Sequence, residues 1–336
     1  MKLKKAFTIL TCCCIAFSAF TGCSKDGAEN NAEPTNEELL SQIESLQSQV
    51  ESLKAETVPN ISFKNKNDYL LGKDNPAVSE AVAEKEKVMA DLPATVTIGS
   101  EEYSTSLTSL TLSNMELTDE DIKNLKYMVN LTDLQIYQNN ITDLSPLKGL
   151  TNLTNLSLFK NKISDLTPIA GLINLEGLYL RSNELSDISP IDGLVNLRVL
   201  DLSENNITDI SPLSGLHELT LLRLNDNNIT SIASLGGMNN MTRLHLHNNY
   251  ISDISPVIDM IELNELYIEN NAVESLEPIM SLTTIEWLKA GYNPISSLRP
   301  VASLTALKKL YIENVEVDTE TMDYLIEQLP DTTIVQ

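Results

Sequence analysis

The sequence has almost no cysteine, and what it has sits at one end. Its four cysteines are Cys12, Cys13, Cys14 and Cys23. A fold built from the residues after Cys23 holds without disulfides and offers neither a cysteine zinc site nor a thiol nucleophile. Aromatics are scarce at 5%, with Trp287 the single tryptophan. Positive charge is scarce too: 23 Lys and Arg against 47 Asp and Glu give a formal charge of −24. No nucleic-acid partner is expected, because that class of ligand needs a basic surface. A long apolar run occurs only at the N-terminus, "AFTILTCCCIAFSAF" over residues 6–20. It is short for a membrane span, which takes about 20 residues.

What surrounds that run is informative. Basic "MKLKK" precedes it, and small residues and a cysteine follow it in "FTGC", which ends at Cys23. The arrangement resembles a bacterial lipoprotein signal, although that family usually has Leu where Phe20 stands. The resemblance implies a signal peptide over residues 1–22, acylation of Cys23, and a membrane partner reached through that lipid anchor. It places the protein outside the cytoplasm, on the cell surface. Two acyl chains hold a protein firmly where one is marginal. Residues 23–38 are polar, with Gly27 and Pro34. They bury no core and read as a flexible tether.

Residues 39–57 change character. Leu39, Ile43, Leu46, Val50 and Leu53 are spaced 4, 3, 4, 3. That is a coiled-coil seam, with β-branched residues at one position and Leu at the other, a choice that favours parallel pairs. A homodimer through residues 39–56 is one expectation. A lone amphipathic helix packing on its own protein is the other, since so short a coil is marginal. Residues 58–93 read as a spacer or cap that is partly helical. A helix is expected from about Val78 to Leu92, with Pro76 in its first turn and Pro93 beyond its end.

From residue 131 one pattern repeats. "LTDLQIYQNNITDLSPLKGL" begins at Leu131, and "LRVLDLSENNITDISPLSGL" begins at Leu197. Successive copies start 22 residues apart through Leu307. An Asn column runs Asn139, Asn161, Asn183, Asn205, Asn227, Asn249, Asn271, Asn293. A Pro column runs alongside it, interrupted at Ser234. Each "LxL" sends two side chains inward from a short strand and the middle one outward. The Asn amide serves as a structural ladder, bonding backbone groups of its own coil and the next. One coil has nothing to bury its apolar side against, whereas stacked coils bury it on each other.

These residues resemble the leucine-rich-repeat family, most closely the internalin-like 22-residue class of bacterial surface proteins. The fold class expected is an α/β repeat solenoid. A curved parallel β-sheet faces short 3-10 or turn segments on the convex side, and a short coiled-coil helix precedes it. Residues 94–130 read as an N-terminal repeat cap with Thr118 capping a short helix. Residues 131–317 are the repeats, and residues 318–336 the C-terminal cap. Internalins bind host proteins with the concave sheet. The resemblance implies recognition of a protein ligand here, without implying host invasion.

Scaffolding demands nothing particular of the outward positions around each "LxL". They nevertheless carry Tyr137, Phe159, Tyr179, Arg181, Arg223, Arg243, His245, His247, Tyr267, Trp287 and Tyr311. Trp, Tyr and Arg are the types enriched at binding hot spots. The partner-binding surface is expected there, and its arginines suggest a partner with acidic character. In the coil that begins at Leu197, Asp201 and Ser203 are the residues expected to stand open to a ligand. His245 and His247 face the same way, but a shallow face suits contact better than metal binding or catalysis. No catalytic residue, metal or cofactor is expected. Asn140, Asn152, Asn206, Asn228 and Asn240 satisfy the glycosylation triplet only as by-products of the repeat. The function expected is membrane-anchored, extracytoplasmic recognition of a protein. The alternatives are an envelope-organising lipoprotein assembled through its coiled coil, or a binder of cell-wall carbohydrate.

Overall fold

The computed structural model describes residues 75–336. The expected signal peptide, Cys23, the tether, the coiled coil and the start of the spacer lie outside the described residues.

The first element is helix α1, Pro76–Met89. It begins two residues before the expected Val78 and ends before Leu92. Proline at the first helical position needs no N–H partner, and the Asn75 side chain accepts the Ala77 N–H at 3.0 Å. A hairpin follows, β1 (Thr95–Ile98) paired antiparallel with β2 (Glu101–Ser104) around Gly99 at φ +59°. Then the repeating sheet begins at β3, Ser109–Thr111.

Eleven strands, β3 to β13, run parallel in sequence order. Nine of them, β4 (Asp133–Gln135) to β12 (Lys309–Tyr311), come one per 22-residue period. The register is residue for residue: Val199, Leu200 and Asp201 of β7 face Leu221, Leu222 and Arg223 of β8. Every coil therefore presents its outward side chains in columns. Inside, Leu197, Leu200, Leu202, Ile207, Ile210, Leu213 and Leu216 of one coil are all within 2% of complete burial. The coil turns back through a 3-10 segment, Ser211–Gly215, with Pro212 in its first turn. Asp209 caps that turn by accepting the Ser211 N–H at 2.8 Å, and Asp143, Asp165, Asp187 and Asp253 do the same in their coils.

The Asn column bonds in one direction. Asn205 Oδ1 accepts the Leu185 N–H at 3.0 Å, and its Nδ2 donates to Leu180 O at 3.1 Å and Leu202 O at 3.0 Å. The partners belong to its own coil and the preceding one, where the sequence reading had named the next. The amide carbonyl points back because each turn leaves its N–H groups behind the Asn that follows. Just before each ladder Asn sits a residue in the left-handed region. Gln138, Lys160, Ser182, Glu204, Asp226, Asn248, Asn270 and Tyr292 all have φ between 54° and 57°, and Asn314, before Val315 in the same column, has φ 59°. That conformation aims the N–H forward, as in Glu204 to Asn225 O at 2.9 Å.

A second Asn column escaped the sequence reading. Asn130, Asn152, Asn174, Asn196 and Asn240 each donate from Nδ2 to the carbonyl one coil and one residue back, at 2.8–3.1 Å. Its signal was the same 22-residue spacing, hidden in "TNL" and "VNL". Three N-x-T triplets, at Asn130, Asn152 and Asn240, fall on this column.

The ends are closed. Thr118 precedes helix α2 (Asp119–Ile122), which runs into a 3-10 turn, Lys123–Tyr127, and the Thr118 hydroxyl and N–H both donate to Asp121. At the far end Asp318 caps helix α3, Thr319–Gln328, by accepting the Thr321 N–H at 2.7 Å. Strand β13, Thr333–Val335, completes the sheet. Helix α1 seats on the first coils. Lys85 Nζ reaches Asn152 Oδ1 at 2.8 Å, Lys148 pairs with Glu80 at 2.7 Å, and Ala81 is fully buried. No described helix is long and apolar enough to cross a membrane.

Candidate binding surface

Three outward columns cover the solvent face of the sheet, the concave side of such a solenoid. The residue before the strand's central Leu, the one after it, and the one two further on all point the same way. Over the coils of β4 to β12, these positions hold Arg181, Arg223, Arg243, Lys289 and Lys309 against Asp133, Asp201, Glu265, Glu269 and Glu313. The face is thus charge-balanced on a protein of formal charge −24. Negative charge is concentrated elsewhere on the molecule.

Three of the five cations are held in ion pairs. Arg181 Nε donates to Glu204 Oε1 at 2.8 Å, and Ser182 also bonds that carboxylate. The Ser182 hydroxyl and Arg181 together hold the Glu204 carboxyl below its ordinary range. Arg223 lies 3.4 Å from Asp201 and Lys289 lies 3.7 Å from Glu269. Arg243 is exposed and forms no ion pair among the described residues. Carboxylates one coil away thus neutralise two of the arginines behind the expected acidic partner, Arg181 and Arg223, and leave Arg243. Asp201 and Ser203 do not stand open either. They are 7% and 1% exposed, and both the Ser203 N–H and hydroxyl donate to Asp201. A short acid next to a short hydroxyl closes on itself under the longer Arg223.

Two clusters remain. The first spans β9 (Arg243–His245), β10 (Glu265–Tyr267), β11 (Trp287–Lys289) and β12. His245 stacks on Tyr267 with ring centres 4.3 Å apart and 11° between planes. Lys289 Nζ lies 4.4 Å from the Tyr267 ring centre and 5.4 Å from that of Tyr311. Lys309 covers Trp287 at 4.8 Å. His245 Nε2 lies 3.3 Å from Glu265. Burial holds both imidazoles, His245 and His247, below the ordinary histidine value. His247 Nδ1 and Glu269 Oε2 are buried without hydrogen-bond partners among the described residues.

The second cluster lies over β4, β5 (Asn155–Ser157) and β6 (Gly177–Tyr179). Tyr137 and Phe159 stack with ring centres 4.2 Å apart and 10° between planes. Gly177 lacks the Cβ that would sit 2.5 Å from Asn155 Oδ1 and 3.3 Å from Tyr179 Cε2. Both side chains therefore lie across it. A hollow of about 390 Å³ results, lined by Asp133, Gln135, Tyr137, Asn155, Ser157, Phe159 and Tyr179 over Leu134 and Leu156. Of the sequence-derived candidates, the fold thus brings Tyr137, Phe159 and Tyr179 together, and Arg243, His245, His247, Tyr267, Trp287 and Tyr311 together. Arg181 and Arg223 fall between, in ion pairs. Asp133, Asn155, Lys289 and Lys309 are contributors that the sequence reading did not single out, although their columns were readable. A larger hollow of about 640 Å³ on the flank of the coils is lined by ladder Asn and Thr side chains with Glu176, Arg198 and Glu218 and carries no aromatic.

The family model for leucine-rich repeats in two copies matches residues 129–171, 173–215 and 217–259. No curated protein matches the sequence. Among solved structures, an internalin (inlF) of Listeria monocytogenes is 26% identical, with 82% of this chain and 92% of that one aligned at a TM-score of 0.51. Internalin C2 of Listeria monocytogenes is 31% identical over 62% of this chain and 90% of that one, at a TM-score of 0.50. The ectodomain of the Arabidopsis thaliana receptor kinase GASSHO1, solved with Casparian strip integrity factor 2, shares the fold. It is 21% identical over 63% of this chain and 30% of that one, at a TM-score of 0.52.

Proposed function

The chain belongs to the internalin-like leucine-rich-repeat proteins, and from that premise we propose that it is an extracytoplasmic recognition protein, held to the membrane by lipid on Cys23, which binds a protein partner through the solvent face of its sheet. Internalin-like and receptor solenoids are protein-binding folds as a rule. The observation that carries the reading here is the β9–β12 cluster. It gathers the only tryptophan, an unpaired arginine, two histidines and two tyrosines in register on one face. Such anchors dominate binding energy when a partner excludes water around them. The charge balance of this face favours a partner surface that is neutral and rich in apolar and hydrogen-bonding groups.

The test replaces Arg243, Tyr267 and Trp287 together by Ala in the full-length chain. Partner capture from envelope extract falls at least tenfold while the melting temperature holds. Unchanged capture by a folded variant rejects this face as the binding surface. Anchoring is tested separately: Cys23→Ser abolishes incorporation of labelled fatty acid and releases the protein from the membrane fraction, and retention of the label would end the anchor proposal.

A further inference from the structure

We propose that the hollow over β4–β6 is a separate subsite that takes a neutral pyranose ring. The residue columns fix its shape. Tyr137 and Phe159 form one wall, Asp133 and Asn155 the other, and Gln135 and Ser157 lie between them. The walls stand four residues apart along the strands, about 13 Å between backbones. Tyr179, lying across Gly177, closes the end at β6.

The chemistry of the two walls selects the ligand. The stacked rings offer an apolar surface with no hydrogen-bonding capacity except the Tyr137 hydroxyl. The facing wall and floor offer a carboxylate, two amides and a hydroxyl. Asp133 takes a 3.1 Å bond from Gln135 and a long 3.4 Å one from Ser109, which leaves acceptor capacity on its second oxygen. An aromatic or aliphatic side chain from a peptide would pack on the rings but leave these polar groups desolvated and unpaired, which is costly. A pyranose has both halves: C–H groups for the rings and several hydroxyls for the polar wall. Among the described residues no cation lines the hollow, and Asp133 is its single charge. Acidic sugars are therefore disfavoured, and a neutral ring fits. The hollow of about 390 Å³ has room for one ring with part of a second.

This subsite goes beyond the protein-binding reading and does not depend on it, since the two clusters share no residue. The probes are chitotriose, maltotriose and N-acetyltyrosinamide, titrated into the full-length chain by calorimetry and saturation-transfer NMR. One of the two sugars binds with Kd on the order of 1 mM, and the pair separates an N-acetylated ring from a plain hexose. Tyr137→Ala and Ser157→Trp, the first removing a wall and the second filling the floor, each weaken that sugar at least tenfold. Asn206→Ala, an exposed position outside both clusters, leaves it unchanged and serves as a folding control. If neither sugar binds, or if sugar binding survives both hollow variants, the proposal fails. If N-acetyltyrosinamide alone binds and loses affinity in Ser157→Trp, the hollow is a side-chain pocket for a peptide and the proposal fails in that direction.

Discussion

The carbonyl oxygen of Ala77 lies 2.3 Å from where a Cβ on Gly171 would stand, and the Ala81 methyl lies 2.7 Å from it. Helix α1 touches the second coil so closely that only hydrogen fits. Gly171→Ala should push α1 off its seat, at a cost of about 1–3 kcal/mol for overpacking. Hydrogen exchange is the measurement: residues 76–89 lose protection while the coils beyond β7 keep theirs. Full protection of α1 in the variant would show that the helix is not held there.

Asn205→Ala removes an amide that serves Leu185 N, Leu180 O and Leu202 O, all of them buried. Leaving such groups unpaired costs about 1–3 kcal/mol each before relaxation. A loss of roughly 2–4 kcal/mol is expected by denaturant titration. Asn206→Ala, an exposed side chain one residue on, should stay within about 0.5 kcal/mol of wild type. Equal effects from the two would contradict the ladder.

Tyr292 sits at φ +55° with its ring exposed. A bulky residue pays for that conformation about 1–2 kcal/mol that Asn or Gly largely avoids. Tyr292→Asn should raise the melting temperature by a few degrees; Asn already occupies positions 248, 270 and 314 of the same column at nearly the same φ. A lower melting temperature would mean that the Tyr292 ring makes a contact worth more than the backbone relief.

Stability should fall between neutral pH and about pH 5 because of His245 and His247. Their folded values lie below the unfolded value of about 6.5. Above 6.5 neither state is protonated, so their stabilising contribution is complete. As pH drops below 6.5 the unfolded chain takes up protons first, and stability declines until the folded values are reached. The lowered carboxylates, among them Glu204, Asp253 and Asp318, act only below their ordinary values near 4. His245→Gln with His247→Gln should flatten the melting temperature from pH 7.5 to 5. A slope that persists in the double variant would assign the titration elsewhere.

The repeat was legible because its requirements fall on side chains. Leu200 and Leu202 must be apolar and Asn205 must be an amide, so 22-residue columns show in the letters. The left-handed column was illegible for the opposite reason. It constrains backbone, and residues as different as Lys160, Glu204 and Tyr292 satisfy it. Gly149 and Gly171 answer to the close approach of α1, whose backbone lies 3.1 Å and 2.3 Å from where their Cβ atoms would stand. The pairings that quiet Arg181 and Arg223 needed cross-coil rotamers, although Asp201 and Arg223 could have been matched by counting one period. The hollow at Gly177 was invisible because its defining feature is a missing side chain.

The residue-for-residue register gives the solenoid the property of a ruler. The aromatic hollow and the β9–β12 cluster are separated by strands β7 and β8, so any ligand touching both meets a gap counted in whole strands of about 4.8 Å. Each coil bonds only its neighbours, and excising residues 197–218 would rejoin Asn183 and Asn227 as consecutive rungs. The same two features would then stand one strand closer. Spacing along this face changes in steps, and the length of the array sets which ligands span it.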